Sequence, residues 1–148
     1  MTLKNTENDA IIKIKNTQTA ENLNEDTELI TEGRFYESNG KLYIFYSEEE
    51  SEETSACTVM IVVDRKDVTI SRKGEFGSKM HYCEGACEQI LYHTPYGDIP
   101  LVLKTLKVEN KLTERGGELN LQYKLSINGE MINNNLTITV NTGKGDCK

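Results

Sequence analysis

Apolar residues alternate with polar ones along nearly the whole chain, and no stretch repeats them at helical spacing. The cleanest case is 118–127, where Leu119, Leu121, Tyr123, Leu125 and Ile127 share one parity. Glu118, Asn120, Gln122, Lys124 and Ser126 take the other. A period of two puts successive side chains on opposite faces of a strand, so this pattern specifies half-buried β-strands. Ile12 and Ile14, set between Lys13 and Lys15, open the chain in the same way.

The punctuation between strands is that of hairpins. Asn39-Gly40 separates two aromatic-rich runs, 29–38 and 41–47, and Asn128-Gly129 separates 118–127 from 130–140. Asn-Gly suits a type I′ turn, which needs positive φ at both central residues. Further strands are expected at 55–64, 67–73, 78–83, 88–94 and 99–112, with reversals at Gly74/Gly77, at Pro95-Tyr96-Gly97-Asp98 and at Gly116-Gly117. Residues 55–64 are apolar on both parities, which fits a strand covered on both faces or one beside a homodimer contact. In 99–112, Leu101 and Leu103 share a parity that Leu106 and Val108 do not. An extra residue near Lys104–Thr105 would turn both pairs to the core, so a β-bulge is expected there.

Up to ten short strands joined by tight turns read as an all-β protein: a single closed antiparallel up-and-down β-barrel of 8–10 strands. Closure removes the edges that a meander of this length would expose. The 148 residues suffice for one domain, 1–148, with an ordered core of about 10–141 and flexible tails at 1–8 and 142–148.

Several short motifs carry a family resemblance. They are Arg72-Lys73-Gly74, Cys83-Glu84-Gly85, the run from Tyr92 through His93, Thr94, Pro95, Tyr96, Gly97 and Asp98 to Ile99, the run 117–123, and 135–139. In this order and spacing the chain resembles the YwiB-like family of uncharacterised small bacterial β-barrel proteins, from about Ile11 to Val140. That resemblance implies a calycin-like, or lipocalin-like, barrel and no known activity. The acidic run 48–53 and the Cys83/Cys87 pair look peculiar to this sequence.

Charge excludes one class of partner. There are 24 acidic and 17 basic side chains, a formal charge of −7. Five glutamates, Glu48, Glu49, Glu50, Glu52 and Glu53, stand in one run, read as a solvated loop lacking the spacing of a calcium loop. With no basic stripe, nucleic acid is not an expected partner. The uncharged apolar run 54–63 is half of a membrane span, so membrane insertion is not expected. The first nine residues carry no apolar core of a signal peptide, which points to the cytoplasm and to free thiols at Cys57, Cys83, Cys87 and Cys147.

His81, Cys83, Cys87 and His93 are weak candidates for a metal site. The spacing is permitted, but a structural zinc site needs four ligands and no second knuckle follows. No cofactor is expected, and the protein is expected to fold without metal or disulfide. A cysteine nucleophile would need a base and an oxyanion-stabilising segment, and none is recognisable, so no catalytic residue is assigned and an enzyme is not expected.

Arg72 is the informative residue. It shares a parity with Val68 and Ile70, so it points to the apolar side of its strand. A charge there must reach the barrel mouth, pair with an internal carboxylate, or serve an anion. Tyr82, Tyr92 and Tyr123 also fall on apolar parities and could share the interior with it. Two functions follow. One is a non-enzymatic barrel binding a small amphipathic or acidic ligand through Arg72, Tyr82, Tyr92 and Tyr123. The other is a structural or protein-interaction module whose interior is filled by side chains; barrels of eight strands sit at the size where both occur.

Overall fold

A computed structural model describes residues 9–48, 57–73 and 78–142. The expected tail 1–8, all but the first residue of the expected tail 142–148, and Glu49 to Glu53 lie outside them. The described residues form ten strands: β1 (Asp9–Ala20), β2 (Leu23–Ser38), β3 (Lys41–Glu48), β4 (Cys57–Asp64), β5 (Asp67–Lys73), β6 (Ser78–Cys83), β7 (Cys87–Thr94), β8 (Gly97–Thr113), β9 (Gly116–Ile127) and β10 (Glu130–Asn141). All pairings are antiparallel, and the hydrogen-bonded order is β6-β5-β4-β3-β2-β1-β10-β9-β8-β7. Hairpins therefore run from β1 to β6 and from β7 to β10, and the first and last strands pair with each other. The result is an up-and-down β-barrel.

One seam remains, between β6 and β7, which stand at the two ends of that order. It is bridged at its turn by β8. Gly85 N–H donates to the Thr105 carbonyl at 3.0 Å, and Thr105 N–H donates to the Ala86 carbonyl at 3.0 Å. Val108 N–H donates to the Glu84 carboxylate at 2.9 Å.

Both Asn-Gly turns adopt the expected backbone: φ is 55° and 81° at Asn39-Gly40, and 51° and 84° at Asn128-Gly129. The alternation sorts faces as read. Ile12, Ile44, Val59, Ile61, Val63, Val68, Leu103, Val108, Leu119, Leu121 and Ile138 fill the interior. On β4, Met60 and Val62 are half-buried and pair across the strand with Phe45 and Tyr43. Tyr36 stacks on both of those rings, at 5.1 Å from Tyr43 and 5.9 Å from Phe45. This aromatic row accounts for the second apolar parity of 55–64.

Two details differ from expectation. The bulge is present, but it falls between Thr105 and Lys107. Thr105 and Val108 point inward while Leu106 is exposed, so Leu106 does not join the core. β2 also begins at Leu23 rather than 29, because the turn at 21–22 folds it along the full length of β1. Its partnership with β3 is shorter, from Arg34 to Ser38 only. Gly33 stands where the two part: a Cβ there would lie 2.3 Å from the Phe45 carbonyl oxygen.

Candidate functional site

The alternation that buries Val68 and Ile70 carries Arg72 inward at the end of β5. Ile44, Tyr46 and Glu48 do the same on β3, which ends at the same mouth of the barrel. Arg72 Nε meets Glu48 Oε1 at 3.5 Å, with the side chains 37% and 21% exposed. That is the outer limit of a hydrogen bond, and it leaves the bidentate face of the guanidinium unused by Glu48. Burial acts to lower the Arg72 pKa, but the charge of Glu48, with smaller help from Tyr46 and Tyr82, more than offsets it and the net shift is upward. Arg72 is a cation at the inner rim.

Tyr82 and Tyr123 lie deeper, 3% and 7% exposed, with ring centroids 4.8 Å apart in an edge-to-face contact. Tyr82 also donates to Met80 Sδ at 3.4 Å. Burial pushes the Tyr82 phenol well above its ordinary range and raises that of Tyr123, with the Arg72 charge opposing in both. Both remain neutral hydroxyls. Tyr123 faces Thr105 on one side and Asn134 on the other, and Asn134 faces Gln18 on β1. The Asn134 side-chain oxygen accepts from Gln18 at 2.9 Å and from Asn16 at 3.2 Å. The fully buried Thr105 hydroxyl and the Asn16 side-chain oxygen have no hydrogen-bond partner among the described residues. A polar belt thus crosses an otherwise apolar interior. Unsatisfied buried groups of this kind are uncommon and call for an explanation.

Arg72, Tyr82 and Tyr123 are therefore brought together, as their parities implied. Tyr92 is not; it is 37% exposed on β7. Tyr46, 5% exposed, is a further inward tyrosine, and the Ile44–Tyr46–Glu48 alternation carries its signal. Surface depressions of about 720, 470 and 400 Å³ are present, and Arg72, Tyr82 and Tyr123 line none of the three. The largest is lined by Tyr46, which links it to the surroundings of Arg72.

The histidines turn to carboxylates. His81 contacts Asp67 Oδ1 at 2.5 Å and Glu88 Oε2 at 2.9 Å, and His93 contacts Asp98 Oδ1 at 2.7 Å. His93 and Cys87 stand six residues apart on β7, about 20 Å at strand rise. Cys83 and Cys87 are free thiols. Among the described residues, no group of three or more His, Cys, Asp or Glu side chains is placed to hold a metal ion. No helix among them is long and apolar enough to cross a membrane.

Comparison with known proteins places this barrel. Residues 12–138 match the model of a family described as a domain of unknown function, DUF1934. The chain belongs to the DUF1934 family. It is 25% identical over 117 residues to the uncharacterized beta-barrel protein YwiB of Bacillus subtilis (strain 168), covering 78% of this chain and 81% of that protein. The crystal structure of the ywiB protein from Bacillus subtilis superposes with a TM-score of 0.81 at 22% identity, covering 92% of each chain. That likeness shows a shared barrel fold, and the DUF1934 description assigns no activity.

Proposed function

We propose that this DUF1934 barrel is a non-enzymatic binding protein that holds a small amphipathic, acidic ligand with its carboxylate against Arg72. The observation that carries the reading is the inward guanidinium at the mouth, contacted by Glu48 through Nε alone. A ligand carboxylate could take the two parallel, charge-assisted bonds that Glu48 leaves unused. Tyr82 and Tyr123 supply apolar walls with neutral hydroxyls, and the Thr105 hydroxyl supplies a further buried polar group. Such a mixture of apolar surface and few convergent polar groups suits a small-molecule site. The free thiols of Cys83 and Cys87 fit a reducing, cytoplasmic setting.

The rival is an interaction module with a filled barrel. It is favoured by the Arg72–Glu48 pair itself and by the absence of Arg72, Tyr82 and Tyr123 from the lining of the three depressions. The deciding experiment titrates medium- and long-chain carboxylates against a fluorescent apolar probe. Wild type should bind the probe and release it to carboxylates, Arg72→Ala should lose about tenfold in carboxylate affinity, and Glu48→Gln should gain. Absence of probe binding by the wild type, or equal displacement by alkyl alcohols, would give the rival the field.

A further inference from the structure

We propose that the free edge of β2, residues 24–33, docks an extended, lysine- or arginine-bearing segment of another protein as an added antiparallel strand. β2 pairs with β1 from Leu23 to Arg34 but with β3 only from Arg34 to Ser38. Among the described residues, no strand covers the other side of 24–33. The two-residue turn makes Ala20 and Leu23 a hydrogen-bonded pair, so alternate residues of β2 bond to β1. Asn24, Asp26, Glu28, Ile30 and Glu32 then turn their N–H and C=O groups outward, away from β1. Such a row is a ready template for another strand. Beyond the close approach of β2 and β3 at Gly33, a cleft of about 720 Å³ lies beside this edge, lined by Thr31 and Glu32 on β2 and by Tyr46 and Ser47 on β3.

The side chains select the occupant. On the outer face the edge presents Glu28, Ile30 and Glu32 in succession, and Ile30 is 61% exposed. Glu28 pairs with Lys13 at 3.3 Å, whereas Glu25, Asp26 and Glu32 make no ion pair among the described residues. A second copy of the chain fits poorly. Added antiparallel with Ile30 against Ile30, it would set Glu28 against Glu32, and like charges directly opposed destabilise a strand pair. A strand with an apolar side chain opposite Ile30 and cations opposite Glu28 and Glu32 gains at all three places. The charges that guard the edge against self-association thus admit a basic partner.

The test uses a blocked heptapeptide, Thr-Lys-Thr-Val-Thr-Lys-Thr, titrated into isotopically labelled full-length protein and followed by amide NMR. The amides of Asp26, Glu28, Ile30 and Glu32 should shift most, while those of Leu29 and Thr31, bonded to β1, shift less. Replacing both peptide lysines with glutamate should weaken binding about tenfold, and added salt should weaken the lysine peptide. Ile30→Pro removes an outward N–H without breaking the β1 ladder and should abolish the shifts; Glu32→Lys, which keeps the backbone intact, should cost about tenfold. The proposal fails if millimolar lysine peptide leaves those four amides unmoved, if the glutamate peptide binds equally well, or if the same amides respond instead to self-association of the protein.

Discussion

His81 of β6 hydrogen-bonds Glu88 of β7 at 2.9 Å, across the one junction between consecutive strands that has no backbone ladder. Its second ring nitrogen meets Asp67 of β5 at 2.5 Å. One imidazole on β6 therefore joins its ladder partner β5 to β7, across the seam where main-chain pairing is missing. A cationic ring donates from both nitrogens, whereas a neutral ring must turn one acceptor toward a carboxylate. The hydrogen bond to Glu88 does most to raise the His81 pKa, burial opposes it, and Asp67 adds to the rise.

Stability should accordingly depend on pH through this residue. A raised folded pKa means that the stabilisation is complete below the unfolded value of about 6.5 and disappears as pH climbs through the folded value. His81→Gln should lower the unfolding free energy near pH 6 and have little effect near pH 9, where imidazole is neutral. The side chain is 36% exposed, and the effect is expected to stay below about 1 kcal/mol. Urea unfolding at the two pH values checks this; an equal loss at both would assign His81 a role that does not involve its charge.

The Arg72–Glu48 pair is partly solvated, which sets the cost of breaking it. Glu48→Gln should destabilise by about 1 kcal/mol, well short of the 3–5 kcal/mol seen when one partner of a fully buried pair is removed. A loss at the upper figure would mean that the pair is sealed from water and structural.

Thr105 carries a buried hydroxyl without a hydrogen-bond partner among the described residues. Thr105→Val keeps the shape and removes that group, and should stabilise the ligand-free protein by about 1 kcal/mol, since an unsatisfied buried polar atom costs about that much or more. Thermal unfolding reads the sign directly. Destabilisation would show that the hydroxyl has a bonded partner in solution.

Gly33→Ala should destabilise by roughly 1–3 kcal/mol, because the new methyl collides with the Phe45 carbonyl oxygen and forces the β2–β3 junction apart. Restored stability on relaxing the neighbouring side chains alone would be unexpected, since the obstacle is backbone. Denaturant midpoints for Gly33→Ala and for Gly40→Ala separate crowding from turn strain: Gly40 has open space around its Cβ position and a φ of 81°.

The barrel was legible wherever one face of a strand is buried. In 118–127 the alternation sets the face of every residue, and at both Asn-Gly turns the dipeptide sets the backbone. The parity break in β8 announced a bulge to within about two residues of its place, because a slip of one position would turn leucines to water. Arg72 was legible for the same reason, as a charge on an apolar parity.

What escaped such reading depends on partners distant in the chain. Residues 23–28 show no hydrophobic pattern, and they are strand only because β1 supplies their hydrogen bonds. That Arg72 meets Glu48, that Tyr82 leans on Tyr123, and that Tyr92 stays outside follow from where β3, β6, β7 and β9 come together around the barrel. Alternation is a local property that assigns each side chain a face. Which faces meet, and where the closing sheet leaves a seam or an edge, is decided by pairing between strands whose positions along the sequence carry no record of it.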